Sequence, residues 1–344
     1  MTQAPTVDPA ETMTETMRAI VQREYGGPET LSLSEAEPIP SPGHGEVRVR
    51  VYASSVAAGD VHMVTGRPYL MRLAGFGILK PKHGLPGLDV AGVIDEVGEG
   101  VGRLKVGDAV YGELKRGSFA DFVVGPEALL AKMPAGLSFG EAAAMPTSGM
   151  TAREAVRKHG RVAAGERVLV IGATGGVGHF ALQIAVANGA EADAVCSGKN
   201  ADLALELGAA RVIDYRRDDI TEAIATYDVV IDTAGKVPIS AARNMLRPGG
   251  RWVAVSAGHG GDWLGPLPRM IAMNAGNIGR DAKFVSFVAT PSAESLQQLT
   301  ELVERGELRP VVQRTYDLSE VPQALAHQQA GGSRGKRVIS VRAK

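Results

Sequence analysis

The sequence lacks the cysteines and the charge imbalance that mark several classes of protein. Its one cysteine, Cys196, excludes an intrachain disulfide and a zinc site built from cysteines alone. The 37 lysine and arginine residues nearly balance the 38 aspartate and glutamate residues, which leaves a net charge of −1. A chain so close to neutral has no strong basic field to attract nucleic acid. We therefore expect no nucleic-acid partner.

Long hydrophobic runs are also missing. No apolar stretch approaches the roughly 18 to 20 residues that a membrane-spanning helix requires, and the N-terminus lacks the pattern of a secretory signal. We expect a cytoplasmic protein without a membrane partner. Residues 1–16 are polar and rich in threonine, proline and glutamate, and we expect a disordered leader there. The remaining length, in a chain that is 44% hydrophobic, predicts about two domains.

The most informative feature that is present is a glycine-rich run, VLVIGATGGVG at 168–178. An apolar stretch typical of a strand leads into four glycines, and a helical pattern follows. Glycines let the chain turn tightly here and let backbone amides approach a pyrophosphate at the start of the helix. The spelling departs from G-x-G-x-x-G, because Ala173 and Thr174 separate the first two glycines. We predict a dinucleotide site at Gly172, Thr174, Gly175, Gly176 and Val177.

Strand and helix patterns alternate after this run, which predicts a doubly wound parallel sheet. Strands are predicted at 194–197, 211–214, 228–232, 252–257 and 283–289. Helices are predicted at 177–190, 200–207, 219–225 and 238–246, with a Pro-Gly-Gly turn at 248–250.

The chain before the glycine run has a different rhythm. Short strands near 18–22, 47–54, 89–98 and 108–114 are separated by glycine, proline and aspartate at turn spacing. We predict a small β-rich domain there. After residue 290 the pattern indicates a helix, a strand, a second helix and a last strand at 337–341. We expect this tail to return to the first domain.

Five stretches, in matching order and spacing, resemble the zinc-independent medium-chain dehydrogenase/reductases, in the branch of quinone and enone reductases. They are MRAIVQREYGGPETLSL from Met17, VAAGDVHMVTG at 56–66, GLPGLDVAGVIDEVGEGV with LKVGDAVYG at 84–112, the glycine run, and LGAARVIDYR at 207–216. The resemblance implies a GroES-like β-barrel that carries the substrate, at 17–140 and 290–344, and a Rossmann domain at 141–289. It also implies an active site in the cleft between them and a homodimer paired through strand 283–289.

At the positions where zinc-dependent relatives have their metal ligands, this chain has different residues. Those relatives have a cysteine where this chain has Ala57, a Gly-His-Glu triplet where it has Gly87-Leu88-Asp89, and a third ligand near Pro146. Even with His83 and Asp89 counted, the ligands are too few for tetrahedral zinc, and we expect no metal. Without a Lewis acid, the favoured acceptors are quinones and double bonds conjugated to a carbonyl.

The end of the second strand of the parallel sheet indicates the cofactor. An NAD site usually has a carboxylate about 20 residues past the glycines, which would repel a 2′-phosphate. This chain instead has Ser197 and Lys199 there, with Arg216 after the next strand. We predict NADPH, with a merely solvated lysine as the alternative role for Lys199. The resemblance supports Ser197 and Lys199 and adds Tyr215 as a contact of the adenosine.

The resemblance implies further cofactor contacts. Lys336 resembles the terminal basic residue that reaches the cofactor phosphates. The other implied contacts are Thr147, Thr151, Ala234, Gly235, Ser256, Ala257, Phe284 and Val285. A threonine in a helix or a phenylalanine in a strand is, however, more often a core residue.

Reduction of an enone or a quinone leaves an anion that needs a proton donor or water. His62 is the first candidate, because a similarly placed histidine relays a proton in zinc alcohol dehydrogenases; an exposed histidine without a role is the alternative. We expect Asp60 mainly to fix this loop, and Tyr69 is a second candidate donor. The insert around Tyr69 suits a lid whose apolar side chains wall the substrate pocket, at Met71, Leu73, Phe76 and Ile78.

The sequence thus favours a zinc-free, NADPH-dependent reductase of quinones or enones. A zinc-free alcohol dehydrogenase with His62 as the relay is one alternative, and a protein that senses the nucleotide without turnover is another. His179 follows the last glycine of the run and lacks the neighbours that catalysis or metal binding requires, so we expect no function for it.

Overall fold

The structure is a computed structural model that describes residues 15–222, 226–255, 261–277 and 281–342. Within these ranges, no helix is both long enough and apolar enough to cross a membrane. Most of the predicted leader lies outside the described residues, and Thr16 already belongs to the first strand. The cytoplasmic location stays a prediction.

The N-terminal part of the chain forms antiparallel strands around one helix. A two-stranded sheet pairs β1 (Thr16–Gln22) with β2 (Leu31–Pro38). A larger sheet follows, in which β3 pairs with both β4 and β6, and β5 pairs with both β4 and β7. Its bounds are β3 (Glu46–Val56), β4 (Asp89–Val97), β5 (Ala109–Glu113), β6 (Phe122–Pro126) and β7 (Leu130–Lys132), with α1 (Ala58–Thr65) after β3.

The strand β3 shows why these residues form a sheet. Val47, Val49 and Val51 are fully buried, and they alternate with Arg48 and Arg50. A period of two places the valines on the core side, and β-branched side chains pack well on a pleated surface. The predicted β-rich region is confirmed.

Two helices, α2 (Phe139–Ala143) and α3 (Pro146–Arg153), lead into a parallel sheet. Its strands are β8 (Arg167–Ile171), β9 (Glu191–Cys196), β10 (Arg211–Asp214), β11 (Tyr227–Asp232), β12 (Leu246–Ala254) and β13 (Lys283–Ser286). The helices between them are α4 (Gly178–Ala187), α5 (Ala201–Glu206), α6 (Ile239–Met245) and α7 (Leu267–Ala275). The order β10-β9-β8-β11-β12-β13 confirms the doubly wound sheet.

Three local expectations differ from the structure. The Pro-Gly-Gly turn at 248–250 lies inside β12, where the pairing with β11 slips, because β12 takes up three extra residues between neighbouring pairs. The strand β13 is shorter than predicted. The helix expected at 219–225 is a short 3-10 turn at Ile220–Glu222, and its last three positions lie outside the described residues.

The tail returns to the first large sheet. It comprises α8 (Ala293–Glu304), β14 (Val312–Asp317), α9 (Val321–Gln329) and β15 (Lys336–Ser340). β15 pairs with β14 on one side and with β3 on the other. The helix α8 buries Leu296, Leu299 and Leu302 in the same core cluster as α3 and α4. The domain boundaries at 140 and 290 stay a prediction.

A buried histidine fixes α4 to the tail. His179 donates from Nδ1 to the Gly175 carbonyl oxygen at 2.8 Å, and its Nε2 accepts from the Val311 N–H at 3.2 Å. One turn later Gln183 exchanges two hydrogen bonds with the backbone of Arg309, at 2.9 and 3.0 Å. Burial lowers the pKa of His179 to about 4, because the charged ring would lose its water. No local sequence pattern indicates this contact with the tail, since Val311 and Arg309 lie far along the chain from α4.

We expect His179→Ala to lower the free energy of unfolding by about 2–4 kcal/mol, because it leaves a cavity and leaves the Val311 N–H without its partner. Urea denaturation measures this, and His44→Ala, at an exposed position, is the matched control. The wild-type protein should also lose stability as pH falls from the usual histidine pKa of 6.5 towards 4, because protonation favours the unfolded chain. His179→Gln should lose this part of the pH dependence; an unchanged slope would contradict the assignment.

Candidate functional site

The loop between β8 and α4 has no room for side chains at two of its glycines. Gly172 has a φ of +80°, and a Cβ there would lie 2.5 Å from Thr233 Oγ1. A Cβ on Gly178 would lie 2.0 Å from the Gly172 carbonyl oxygen. Gly176 is different, because a Cβ on it would meet nothing closer than Lys336 Cδ at 3.6 Å. Glycine at this position is not needed to avoid a clash; it leaves the backbone of the loop uncovered by a side chain.

A cavity of about 600 Å³ lies at the carboxyl ends of β8, β9 and β11, beside this loop. This is the edge at which doubly wound sheets bind ligands, and the volume is within the usual range for ligand sites. The predicted residues that line it are Gly172, Thr174, Gly175, Gly176, Val177, Ser197, Tyr215, Ala234 and Lys336.

Part of the cavity wall comes from the tail, and sequence reasoning found only its last residue, Lys336. The Gly335 N–H donates to the Thr174 carbonyl oxygen at 2.8 Å, so the tail lies directly on the glycine loop. A Cβ on Gly335 would lie 2.1 Å from the Val311 carbonyl oxygen. The glycine-rich stretch at 331–335 is the feature of the sequence that could have indicated this part of the wall. The tail residues that line the cavity are Gln328, Gly331, Gly332, Ser333, Gly335 and Lys336.

Polar residues near Ser197 also line the cavity and were not predicted. Asn200 donates from Nδ2 to Thr174 Oγ1 at 3.2 Å, which ties the start of α5 to the glycine loop. Asp218 and Asp219 line the cavity after β10, but their carboxylates accept hydrogen bonds from the Asp214 N–H and from Thr221 within that turn. These carboxylates are therefore engaged in local structure.

Several predicted cofactor contacts lie elsewhere. Thr147 donates from its N–H and Oγ1 to Asp89 Oδ1, at 2.9 and 2.6 Å, and Thr151 donates to the Thr147 carbonyl oxygen. Neither threonine lines the cavity; the neighbouring Ser148 does. Lys199 and Arg216 are exposed and lie outside the lining.

The predicted contacts on the far strands also lie outside the lining. Gly235 is held by the Asp232 carboxylate, which accepts its N–H at 2.8 Å. Phe284 is buried against Trp252, and the adjacent Val285 pairs with the neighbouring strand β12, because β13 belongs to the core of the sheet. Ser256 and Ala257 lie outside the described residues.

The structure does not bring the two leading candidates for proton donation to the cavity. His62 is exposed, and its Nδ1 lies 2.9 Å from the Arg67 carbonyl oxygen, to which it donates. Tyr69 packs edge-on against Trp263, with ring centroids 5.2 Å apart. The insert that follows does not wall the cavity either: Leu73 and Ile78 are 70% and 63% exposed. The helix α1 turns this region outward, since the chain leaves the cavity after Ala58.

Asp60 instead belongs to a buried acidic cluster behind the cavity. It accepts the Ala57 N–H at 2.8 Å and so caps α1, as expected for a residue that fixes the loop. Asp89 accepts from Ser55 Oγ at 2.6 Å and forms an ion pair with Lys336 Nζ at 3.3 Å. Both partners in this pair are almost completely buried. Asp60 and Glu113 interact with the charges of both Asp89 and Lys336, so the three carboxyl groups and the ammonium of the tail form one electrostatic cluster.

Two of these carboxyl groups hold protons near neutral pH. Burial raises the pKa of Asp60 to about 7, with a further contribution from the negative charge of Asp89. Burial and Asp89 likewise raise the pKa of Glu113 to about 8. Protonation of neighbours is the usual consequence when carboxylates outnumber the cations that can pair with them. The cluster is then close to neutral, with Asp89 balanced by Lys336.

No three side chains of His, Cys, Asp or Glu come together as a metal site in the described ranges. His83 contacts the guanidinium of Arg116, and Asp89 pairs with Lys336. His83 and Asp89, the two candidate zinc ligands in the sequence, thus each contact a basic side chain instead.

The residues around the cavity fit a dinucleotide. The bare Gly176 and the start of α4 offer backbone amides to a pyrophosphate, and the cavity extends to Ser197 and Tyr215 at the ends of the next two strands. Lys236 and Lys336 place two cations along its length. An extended ligand matches this shape. The carboxylates of Asp218 and Asp219 also line the cavity and Asp89 pairs with Lys336, so the backbone amides of the glycine loop, rather than net charge, favour the phosphates.

Comparisons with known proteins point the same way. Residues 43–135 match the alcohol dehydrogenase GroES-like domain, and residues 207–339 match a family described as zinc-binding dehydrogenase. The chain is 30% identical to the chloroplast envelope quinone oxidoreductase homolog of Arabidopsis thaliana, over 94% of this chain and 98% of the relative.

Two further relatives agree with this match. The mitochondrial NAD(P)H oxidoreductase RTN4IP1 of Mus musculus is 32% identical, over 94% of this chain and 89% of the relative. The solved quinone oxidoreductase of Coxiella burnetii aligns with a TM-score of 0.83 at 27% identity, over 95% of this chain and all of that one. The chain therefore belongs to the medium-chain dehydrogenase/reductase family, in its quinone oxidoreductase branch, with a GroES-like and a Rossmann-like part.

Proposed function

We propose that this oxidoreductase uses NADPH to reduce quinones or double bonds conjugated to a carbonyl, without zinc. The observation that carries the proposal is the composition of the cavity, which joins a dinucleotide loop to a buried Asp89–Lys336 ion pair. The described residues offer no cluster of zinc ligands, which favours acceptors whose electron demand is built in, because these need no Lewis acid to polarise them. The exposed His62 gives no support to an alcohol dehydrogenase that relays its proton through this residue.

The end of β9 supports NADPH over NADH. Ser197 lines the cavity there and is almost completely buried, so it can donate a hydrogen bond to a 2′-phosphate. The positive charge of Lys199 follows two residues later, on an exposed turn. The residues 195–200 at the end of β9 include no aspartate or glutamate, whereas an NAD site usually has one there. The carboxylate of Asp214, at the end of β10, lies beside Gly198 and accepts the Arg216 N–H.

The charge cluster supports a role for Lys336 in the reaction. When bound, the reduced nicotinamide supplies the hydride, and either class of acceptor then carries an oxyanion. Lys336 is a cation in the cavity wall, and Asp89 holds it in place. Protons on Asp60 and Glu113 keep further negative charge away from this anion. Lys336 thus replaces His62 as the group we expect to stabilise the product anion.

The homodimer is also part of the proposal. Among the described residues β13 has a strand partner on one side only, namely β12. An edge strand offers a row of N–H and carbonyl groups to a second copy.

The central test follows nicotinamide absorbance with a panel of quinones, alkenals and simple ketones in the presence of a chelator. We expect NADPH oxidation with quinones or alkenals that the chelator does not reduce, because no protein metal takes part. Turnover confined to simple ketones would contradict the proposed substrate class. NADPH binding without turnover of any acceptor would indicate a sensing protein instead.

We expect Ser197→Asp to lower kcat/KM for NADPH by roughly 10- to 100-fold, because its carboxylate would repel the 2′-phosphate. The value for NADH should change little. Lys199→Ala is the matched comparison and should have a smaller effect, since Lys199 is exposed and outside the lining. An unchanged preference in both variants would mean that the 2′-phosphate lies elsewhere.

Glu113→Gln should extend activity to higher pH. In the wild type we expect kcat to fall by up to about tenfold per pH unit above pH 8, as Glu113 loses its proton and adds negative charge beside Asp89.

The free energy of unfolding should also depend on the protonation of Glu113. A raised pKa in the folded state means that stability is lost as pH rises from the usual 4.5 to about 8, because the unfolded chain ionises more readily. Glu113→Gln should therefore gain roughly 1–3 kcal/mol over the wild type at pH 8, and little at pH 4.5. The exposed Glu24→Gln should show neither effect. Identical pH profiles for Glu113→Gln and wild type would remove Glu113 from the mechanism.

A further inference from the structure

The insert that leaves the cavity and the segment before β13 together expose a concentration of large apolar side chains. Leu79 is 90% exposed, Trp263 is 74% exposed, and Ile271 is 66% exposed. A monomeric protein rarely leaves such side chains grouped in water without a partner. We call this surface the apolar rim, and its members are Leu70, Leu73, Phe76, Ile78, Leu79, Trp263, Leu264, Leu267 and Ile271.

The two segments of the rim form one surface. The Tyr69 N–H donates to the Asp262 carbonyl oxygen at 2.7 Å, and the Leu70 N–H donates to the Trp263 carbonyl oxygen at 3.2 Å. Arg67 adds an ion pair with Asp262 at 3.3 Å. The apolar side chains on either side of this junction are therefore held next to one another.

The most exposed part of the rim is presented by a closed turn. The Lys82 N–H donates to the Phe76 carbonyl oxygen at 2.9 Å, which brackets Ile78 and Leu79. Gly77 has a φ of +104°, and a Cβ there would lie 2.2 Å from the Lys80 carbonyl oxygen. Backbone geometry thus fixes a turn whose tip is apolar and faces water.

The charged side chains next to the turn that carries Ile78 and Leu79 are positive. The stretch 66–82 contains no aspartate or glutamate, and neither does 263–277. Lys80 and Lys82 are exposed, and no carboxylate of the described residues lies within ion-pair distance of either. Arg116 lies close by, against His83.

We propose that the apolar rim docks this protein on the surface of an anionic lipid bilayer. Apolar side chains at the tip would enter the boundary between headgroups and acyl chains, while Lys80 and Lys82 would meet the lipid phosphates. A second copy of the chain is a poorer match, because a two-fold contact through the rim would set these lysines against themselves. The rim needs no membrane-spanning helix to bind in this way.

The elements that carry the rim also contact the cavity wall. Arg269 of α7 donates to the carbonyl oxygens of Gly235 and Val237, at 2.9 and 2.7 Å, and Val237 lines the cavity. Ala58, at the start of α1, lines the cavity as well, and the insert follows the end of this helix. Docking would bring the site close to acceptors dissolved in the bilayer; this consequence rests on the proposed function, whereas the docking does not.

The test is co-flotation of the full chain with vesicles of phosphatidylcholine, alone or with about 30% phosphatidylserine. We expect binding to the anionic vesicles and little to the neutral ones. The double variant Ile78→Ser with Leu79→Ser should lower the bound fraction by about fivefold or more, and Lys80→Glu with Lys82→Glu should do the same. Val106→Ser, at a site 56% exposed outside both the rim and the edge strand β13, is the matched control and should bind like the wild type.

Two measurements keep docking separate from catalysis and from self-association. Turnover of a water-soluble quinone should be unchanged in the rim variants, so a failed activity assay would not bear on docking. Light scattering should give the same mass for the wild type and the rim variants. No binding to anionic vesicles, equal binding to neutral ones, or a mass that falls in the rim variants would each overturn the proposal, the last in favour of a second copy.

Discussion

The contact between Gly178 and the carbonyl oxygen of Gly172 is the constraint on which the site depends. A side chain at Gly178 would lie 2.0 Å from that oxygen, so only glycine lets α4 begin so close to the end of β8. This turn sets where the backbone amides of the loop lie. The position of the cavity depends on this turn. So do the contacts that β9 and the tail make with the loop.

The tail completes the site from a distant part of the chain. Gly335 donates to the loop at Thr174, and His179 reaches from α4 to Val311. Both contacts use backbone atoms as partners, so they depend on the relative position of whole elements rather than on a side-chain motif. The same arrangement delivers Lys336 to Asp89, which joins the glycine loop to the first large sheet. One segment of the tail therefore contacts both the glycine loop and the acidic cluster.

The acidic cluster shows how a buried site can hold more carboxyl groups than cations. Asp89 pairs with the Lys336 ammonium, while Asp60 and Glu113 interact with the charges of both, and burial favours protons on these two. The ion pair of Asp89 with the tail belongs to this cluster, so the charge of the cluster depends on protonation and therefore on pH.

Much of the fold and half of the site were determined by the sequence itself. Glycine spacing, alternating valines and strand-helix order are local signals, and they located the doubly wound sheet, the glycine loop and Ser197. The directions of side chains were decided only by the tertiary structure. His62 and the insert have the residue types of a catalytic loop and a lid, but α1 turns them to solvent; Thr147 has the type of a cofactor contact, but Asp89 takes its hydrogen bonds. His179, Glu113 and the tail wall gain their roles from partners far along the chain, because a local pattern fixes backbone conformation but not which distant group fills the remaining space.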